Sequence, residues 1–153
     1  MTSFTTLAAM VAQQAPDVAA MTAPSGIPLT YGGLYRLITH TTDTLNRLGI
    51  GRGDRVAIVL PNCPEMACAF VAVASACTAA PLNMAYEFEF YLGDLQAKAL
   101  IVAQGSSTPA LAIAAKLGIL VLELRALPDQ GAGNFSLSAA GASADETPVA
   151  AIR

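Results

Sequence analysis

The run from Gly53 to Glu65, Gly-Asp-Arg-Val-Ala-Ile-Val-Leu-Pro-Asn-Cys-Pro-Glu, constrains the fold more than any other part of the chain. Val56 to Leu60 are uninterruptedly apolar, the pattern of a short strand covered on both faces. Pro61 cannot continue a central strand, and Asn62 can hydrogen-bond to its own local backbone. Pro64 has φ preset for a first helical position, and Glu65 sits favourably beside the positive end of a helix dipole. Turn, buried strand, loop and helix start therefore fall within thirteen residues, which specifies an α/β unit.

The rest of the chain repeats that alternation. Phe4, Leu7, Ala8 and Val11 lie at helical spacing in a first helix over 3–14. Val18 to Thr22 and Ile27 to Thr30 flank Pro24-Ser25-Gly26 and suit a small β-hairpin. Thr30 is placed to cap a long amphipathic helix running to Leu48, with Leu34, Leu37, Ile38, Thr41, Leu45 and Leu48 as its apolar stripe and Gly49 as its stop. Gly32 and Gly33, in the first turn, each cost up to ~1 kcal/mol relative to Ala, and nothing local accounts for them. Further helices are expected over 64–78, 88–95 and 109–116, the last capped by Ser107 or Thr108 and stopped by Gly118. Strands are expected at Ala79–Leu82, Leu100–Val102 and Ile119–Leu124. Strands alternating with helices imply parallel pairing with right-handed crossovers. The fold class expected is α/β: a three-layer, doubly wound, mostly parallel sheet with a small hairpin near the N-terminus.

The chain has 153 residues, long enough for one domain with a core. It is 54% hydrophobic and 12% charged, about half the usual charged share. So little charge implies either burial against further protein, with self-association through exposed apolar surface, or contact with a membrane. The longest uncharged run, Met66 to Leu82, carries Ser75, Cys77, Thr78 and Pro81, which weaken insertion and favour a buried helix followed by a buried strand. No basic segment precedes an apolar core at the N-terminus, and Asp17 would interrupt one, so no secretory signal and no transmembrane span are expected. With net charge −3 and only eight scattered Lys and Arg, nucleic-acid binding has no support. Cys63, Cys68 and Cys77 match no zinc spacing and read as buried thiols of a reducing cytoplasm.

Four segments are candidate sites. Gly49-Ile50-Gly51-Arg52-Gly53 precedes a strand, whereas a phosphate loop follows one, so these glycines read as helix stop and turn. Gly105-Ser106-Ser107-Thr108-Pro109 has the correct order of strand, small-residue loop and helix; helix capping is the stronger reading and anion binding the weaker one. Glu87 and Glu89 diverge on a helix, and with Asp94 they read as solvated acids. His40, in the Thr39–Thr42 segment of the long helix, has no adjacent nucleophile and reads as a structural or surface residue. Catalytic, cofactor-binding and metal-binding residues are therefore all expected to be none.

A larger pattern combines Leu29-Thr30-Tyr31, Leu48-Gly49-Ile50, Gly53-Asp54-Arg55-Val56-Ala57 and Pro61-Asn62-Cys63-Pro64-Glu65. It continues with Ala79-Ala80-Pro81-Leu82-Asn83 and Glu87-Phe88-Glu89-Phe90-Tyr91-Leu92. In that order it resembles the N-terminal part of AMP-forming acyl-CoA synthetases, members of the adenylate-forming superfamily, and most nearly the oxalate–CoA and 4-coumarate–CoA ligase-like enzymes. The resemblance implies an ATP-dependent acid–CoA ligase that adenylates a carboxylic acid (oxalate, or an aryl or short acyl acid), then forms the thioester with CoA, using Mg²⁺. It also implies that residues 1–127 are a partial N-terminal α/β domain, 128–148 a linker or irregular loop, and 149–153 the start of a truncated core strand. Asp145 to Ile152 resembles the approach to the family's phosphate loop, Thr-Ser-Gly-Thr-Thr-Gly-x-Pro-Lys, whose residues do not occur here. The segment alone is therefore expected to bind no ATP, Mg²⁺ or CoA and to be inactive. The family also has a longer connection between Ala-Tyr and Glu-Phe, so Ala85-Tyr86-Glu87-Phe88 lacks the usual N-cap. A stand-alone, non-catalytic α/β binding or scaffolding module is the alternative.

Overall fold

The computed structural model describes residues 6–83 and 87–141. Helix α1 (Leu7–Ala12) leads into the antiparallel pair β1 (Ala19–Met21) and β2 (Leu29–Thr30), then the long helix α2 (Tyr31–Arg47). There follow β3 (Arg55–Val59), α3 (Pro64–Ala74), β4 (Thr78–Pro81), α4 (Phe88–Leu95), β5 (Ala99–Ala103), α5 (Ala110–Leu117) and β6 (Leu120–Ala126). A 3₁₀ turn (Pro128–Gln130) and strand β7 (Phe135–Ala139) complete the described elements.

The main sheet has the order β4-β3-β5-β6-β7. The first four strands are mutually parallel, and β7 runs antiparallel to β6. Alternate residues of the central strands serve two cores. Val56, Ile58, Ala99, Ile101, Leu122 and Leu124 join Leu34, Leu37, Ile38 and Leu45 of α2 and Cys68, Ala69, Ala72 and Val73 of α3. Ala57, Val59, Leu100 and Val102 face the other way, onto Phe88 and Leu92 of α4 and Ala110 and Ala114 of α5. The fold is thus the expected three-layer α/β sheet with a small hairpin.

Local sequence signals explain several boundaries. The Thr30 hydroxyl caps α2, accepting from the Gly33 N–H at 3.1 Å. Gly49, at φ +76, ends that helix. Pro64 opens α3 at its first position. Helix α4 starts without such help: Glu87 sits in the left-handed region at φ +71 and its side chain makes no cap bond.

Two expectations are corrected. The helix expected over 64–78 ends at Ala74, because Thr78 is drawn into the sheet, its N–H donating to the Asp54 carbonyl at 2.9 Å. The segment 128–148, expected as linker or irregular loop, contains the 3₁₀ turn and the whole of β7 in its described part. Phe135, Leu137 and Ala139 belong to the α2/α3 core while Ser136 and Ser138 alternate with them, so the strand has period two within a small-residue composition. Residues 149–153 lie outside the described residues.

The turn before β3 is tied to the start of β5. Asp54 Oδ2 accepts from the Gly51 N–H at 2.9 Å and lies 3.3 Å from Lys98 Nζ, which also donates to the Gly49 carbonyl. The backbone bond from Gly51, helped by Lys98, holds the Asp54 carboxyl below its ordinary 3.8. A depressed carboxyl pKa contributes stability above the unfolded value and loses it as pH falls through the folded value. Asp54→Asn is therefore expected to flatten the acid limb of a plot of melting temperature against pH below 3.8, with little change in that limb's slope above it. An unchanged acid limb would show that the bonds from Gly51 and Lys98 to Asp54 play no such part.

Candidate functional site

Chain direction across the sheet reverses at β3. Helix α3 carries the chain over one face to β4 on one side, and α4 returns it over the other face to β5 on the opposite side. In open α/β sheets ligands bind outside the carboxyl ends of the strands at such a reversal. Here that place is bounded by Leu60–Cys63 after β3 and Gln104–Pro109 after β5.

The Gly105–Pro109 loop spends much of its backbone capacity on itself. The Ser106 N–H donates to Ala103 O at 3.0 Å, the Ala110 N–H to Thr108 Oγ1 at 3.3 Å and the Leu111 N–H to Thr108 O at 3.1 Å. Neither loop carries Lys or Arg. Cys63 opens α3 without capping it, and burial raises its thiol pKa. Cys68 and Cys77, also through burial, are pushed up to about 11. All three are free, and as protonated thiols at neutral pH they are poor nucleophiles and poor metal ligands.

His40 lies elsewhere, in a groove of about 470 Å³ between α2 and the segment joining β6 to β7. Arg36 and His40, one helical turn apart, line one wall, and Gln130, Asn134 and Ser136 the other. Asn134 is engaged locally: its Oδ1 accepts from the Phe135 N–H at 2.9 Å and its Nδ2 donates to Gln130 O at 3.3 Å. Glu89 pairs with Lys116 of α5 on the surface. The structure therefore does not gather His40, the acids of α4, the three thiols and the 105–109 loop into one place. Among the described residues no three His, Cys, Asp or Glu side chains form a group able to hold a metal ion. Among the same residues no helix is long and apolar enough to cross a membrane. The run Met66–Leu82 is instead divided between α3 and β4.

The sequence reading missed the glycine turn that closes the α2/α3 core. Gly131 (φ +122) lies over Leu29, and Gly133 (φ +82) lies against Cys68 and the Pro64 carbonyl, where a Cβ would come within 2.6 Å of Cys68 Sγ. The only signal was the spacing Gly-Ala-Gly ahead of an alternating segment.

The sheet order, the crossovers on both faces and the small hairpin define the α/β fold of the adenylate-forming enzymes. Apo MatB from Rhodopseudomonas palustris superposes with a TM-score of 0.67 at 25% identity, over 83% of this chain and 26% of its own. The chain belongs to the AMP-binding enzyme family, whose model matches residues 8–150. An oxalate–CoA ligase of Arabidopsis thaliana is 41% identical over 114 residues, covering 71% of this chain and 22% of its own length. A long-chain-fatty-acid–CoA ligase of Mycobacterium tuberculosis is 35% identical over 97 residues, covering 60% of this chain and 19% of its own. The chain thus spans about a fifth of the length of these relatives.

Proposed function

We propose that this chain is the N-terminal scaffold of an ATP-dependent acid–CoA ligase, which activates a carboxylic acid as its acyl-adenylate and transfers the acyl group to CoA. The family match over residues 8–150, together with 41% identity to an oxalate–CoA ligase, carries this reading. Oxalate or an aryl or short acyl acid is the substrate class the similarity favours. Three thiols left free support a reducing cytoplasmic setting.

The loops at the sheet reversal do not by themselves fit ATP with Mg²⁺. Adenylation needs the phosphates held and their charge neutralised by a cation and basic side chains. The loops at the sheet reversal offer no Lys or Arg, and among the described residues no group of three acidic, His or Cys side chains could hold a metal ion. What this chain contributes is shape: a sheet whose carboxyl-end loops form one wall against which the remaining parts of the enzyme would assemble. No catalytic step is assigned to its residues.

The 153-residue chain is expected to release no pyrophosphate from ATP in the presence of oxalate or another acid, above a blank without protein. The full-length ligase of the same sequence is expected to do so. Turnover by this chain alone would overturn the assignment of the chemistry to other parts of the enzyme. Absence of turnover by both would favour the stand-alone α/β binding or scaffolding module.

A further inference from the structure

Among the described residues β7 is the last strand of the sheet, and its hydrogen-bond phase shows what its outer edge offers. The Leu127 N–H donates to Asn134 O at 2.8 Å and the Ala140 N–H to Val121 O at 3.0 Å. With the register Ala126↔Phe135 through Leu122↔Ala139, this turns the backbone groups of residues 134, 136, 138 and 140 towards β6. The N–H and C=O groups of Phe135, Leu137 and Ala139 therefore point away from the sheet. The Phe135 N–H is taken by Asn134 Oδ1. Among the described residues no strand pairs with the N–H groups of Leu137 and Ala139 or the carbonyls of Phe135, Leu137 and Ala139.

Natural sheets protect such an edge with charge, proline or a bulge. The other edge strand, β4, carries Pro81, whereas Phe-Ser-Leu-Ser-Ala carries neither charge nor proline. The five-residue segment is also self-complementary about its centre. If a second copy is laid antiparallel across a two-fold axis at Leu137, Leu137 faces its own counterpart. Phe135 then faces Ala139, and Ser136 faces Ser138. The apolar row continues that of the α2/α3 core, and the hydroxyl row lies on the opposite face. No like charges meet within the strand. Both unengaged donors find an acceptor: Leu137 N–H reaches the Leu137 carbonyl of the other copy and Ala139 N–H reaches its Phe135 carbonyl, while the Ala139 carbonyl faces the Phe135 N–H that Asn134 Oδ1 already holds. A two-fold contact of this kind uses the same patch on both partners.

We propose that this chain self-associates through β7, two copies pairing edge to edge in antiparallel register about Leu137 to make one continuous ten-stranded sheet.

Light scattering on a size-exclusion column, run over a concentration series, tests this on the 153-residue chain. The expected result is a concentration-dependent shift from the mass of one chain to that of two. Amide hydrogen exchange at Leu137 and Ala139 is expected to slow over the same series. Ala139→Pro removes an outward N–H without touching the ladder to β6, and is expected to abolish the two-chain species. Ser138→Lys places a cation at an exposed position opposite Ser136 of the other copy and diagonally across from its own symmetry mate, and is expected to weaken pairing in a way that added salt partly reverses. Circular dichroism of each variant establishes that it is folded. A folded wild-type chain that remains single at every concentration would overturn the proposal. So would a two-chain species that survives both substitutions, which would point to another surface such as Phe90 and Tyr91 on α4, 65% and 46% exposed.

Discussion

Gly133→Ala is expected to be among the most destabilising single-methyl additions available in this chain. At φ +82 an alanine adopts a strained backbone, and its Cβ would lie 2.6 Å from Cys68 Sγ and 2.8 Å from the Pro64 carbonyl oxygen. Left-handed strain costs about 1–3 kcal/mol and overpacking about as much again, so a loss of roughly 2–6 kcal/mol is expected. At about 2–4 °C per kcal/mol for a chain of this size, the melting temperature falls by roughly 4–24 °C. Gly105→Ala is the control: its φ is +74, but a Cβ there meets nothing within 4 Å, so only the strain remains. Equal losses from the two substitutions would show that the turn's contact with α3 contributes nothing. Cys68→Ala in the Gly133→Ala background should recover part of the loss, because it removes the sulfur but leaves the Pro64 carbonyl in place.

The second large effect is expected at Leu100. It is fully buried in the middle of β5, on the side covered by α4 and α5. Ala57, Ala97, Ala110 and Ala114 supply much of that layer, so few large side chains are available to move into a cavity. Leu100→Ala is expected to cost about 2–5 kcal/mol, towards the upper end of that range, measured by urea unfolding. Phe90→Ala, on the exposed side of α4 at 65% exposure, is expected to change stability by no more than about 0.5 kcal/mol. A cost below about 1 kcal/mol at Leu100 would mean that the α4/α5 layer collapses to fill the space.

The elements that could be read in advance are those whose cause is local. Val56 to Val59 form a strand because a run of apolar, partly β-branched residues suits a position covered on both faces. Thr30 caps α2 and Pro64 opens α3 through bonds and dihedrals within a few residues. The helix over Phe88–Leu95 has the same bounds in sequence and structure. The 105–109 loop was legible as a loop, but not how its N–H groups are shared.

Other features have their cause far along the chain. Gly32 has no local reason to stand in a helix, but a Cβ there would lie 3.2 Å from the Pro16 carbonyl oxygen, which accepts the Gly32 N–H at 3.0 Å. At Gly33 a Cβ would come within 2.8 Å of Leu29 Cδ1. The first turn of α2 is thus packed closely against the segment before β1 at Gly32 and against the Leu29 side chain of β2 at Gly33, so a methyl at either place would force a neighbour to shift. Strand β7 was overlooked because Gly, Ser and Ala carry too little hydrophobic signal to show a period of two until β6 supplies the partner.

From sequence alone follow the alternation of strands and helices, most of the caps and stops, and the motif order that marks the AMP-binding family. Those depend on short-range sterics and on patterns of side-chain polarity. Tertiary structure alone decided the order β4-β3-β5-β6-β7, the antiparallel turn of β7, the seat of the Gly131–Gly133 turn and the Asp54–Lys98 tie. Each of these joins groups distant in the chain. Only the packed molecule determines which surfaces approach closely enough to exclude a Cβ or to leave a strand edge open.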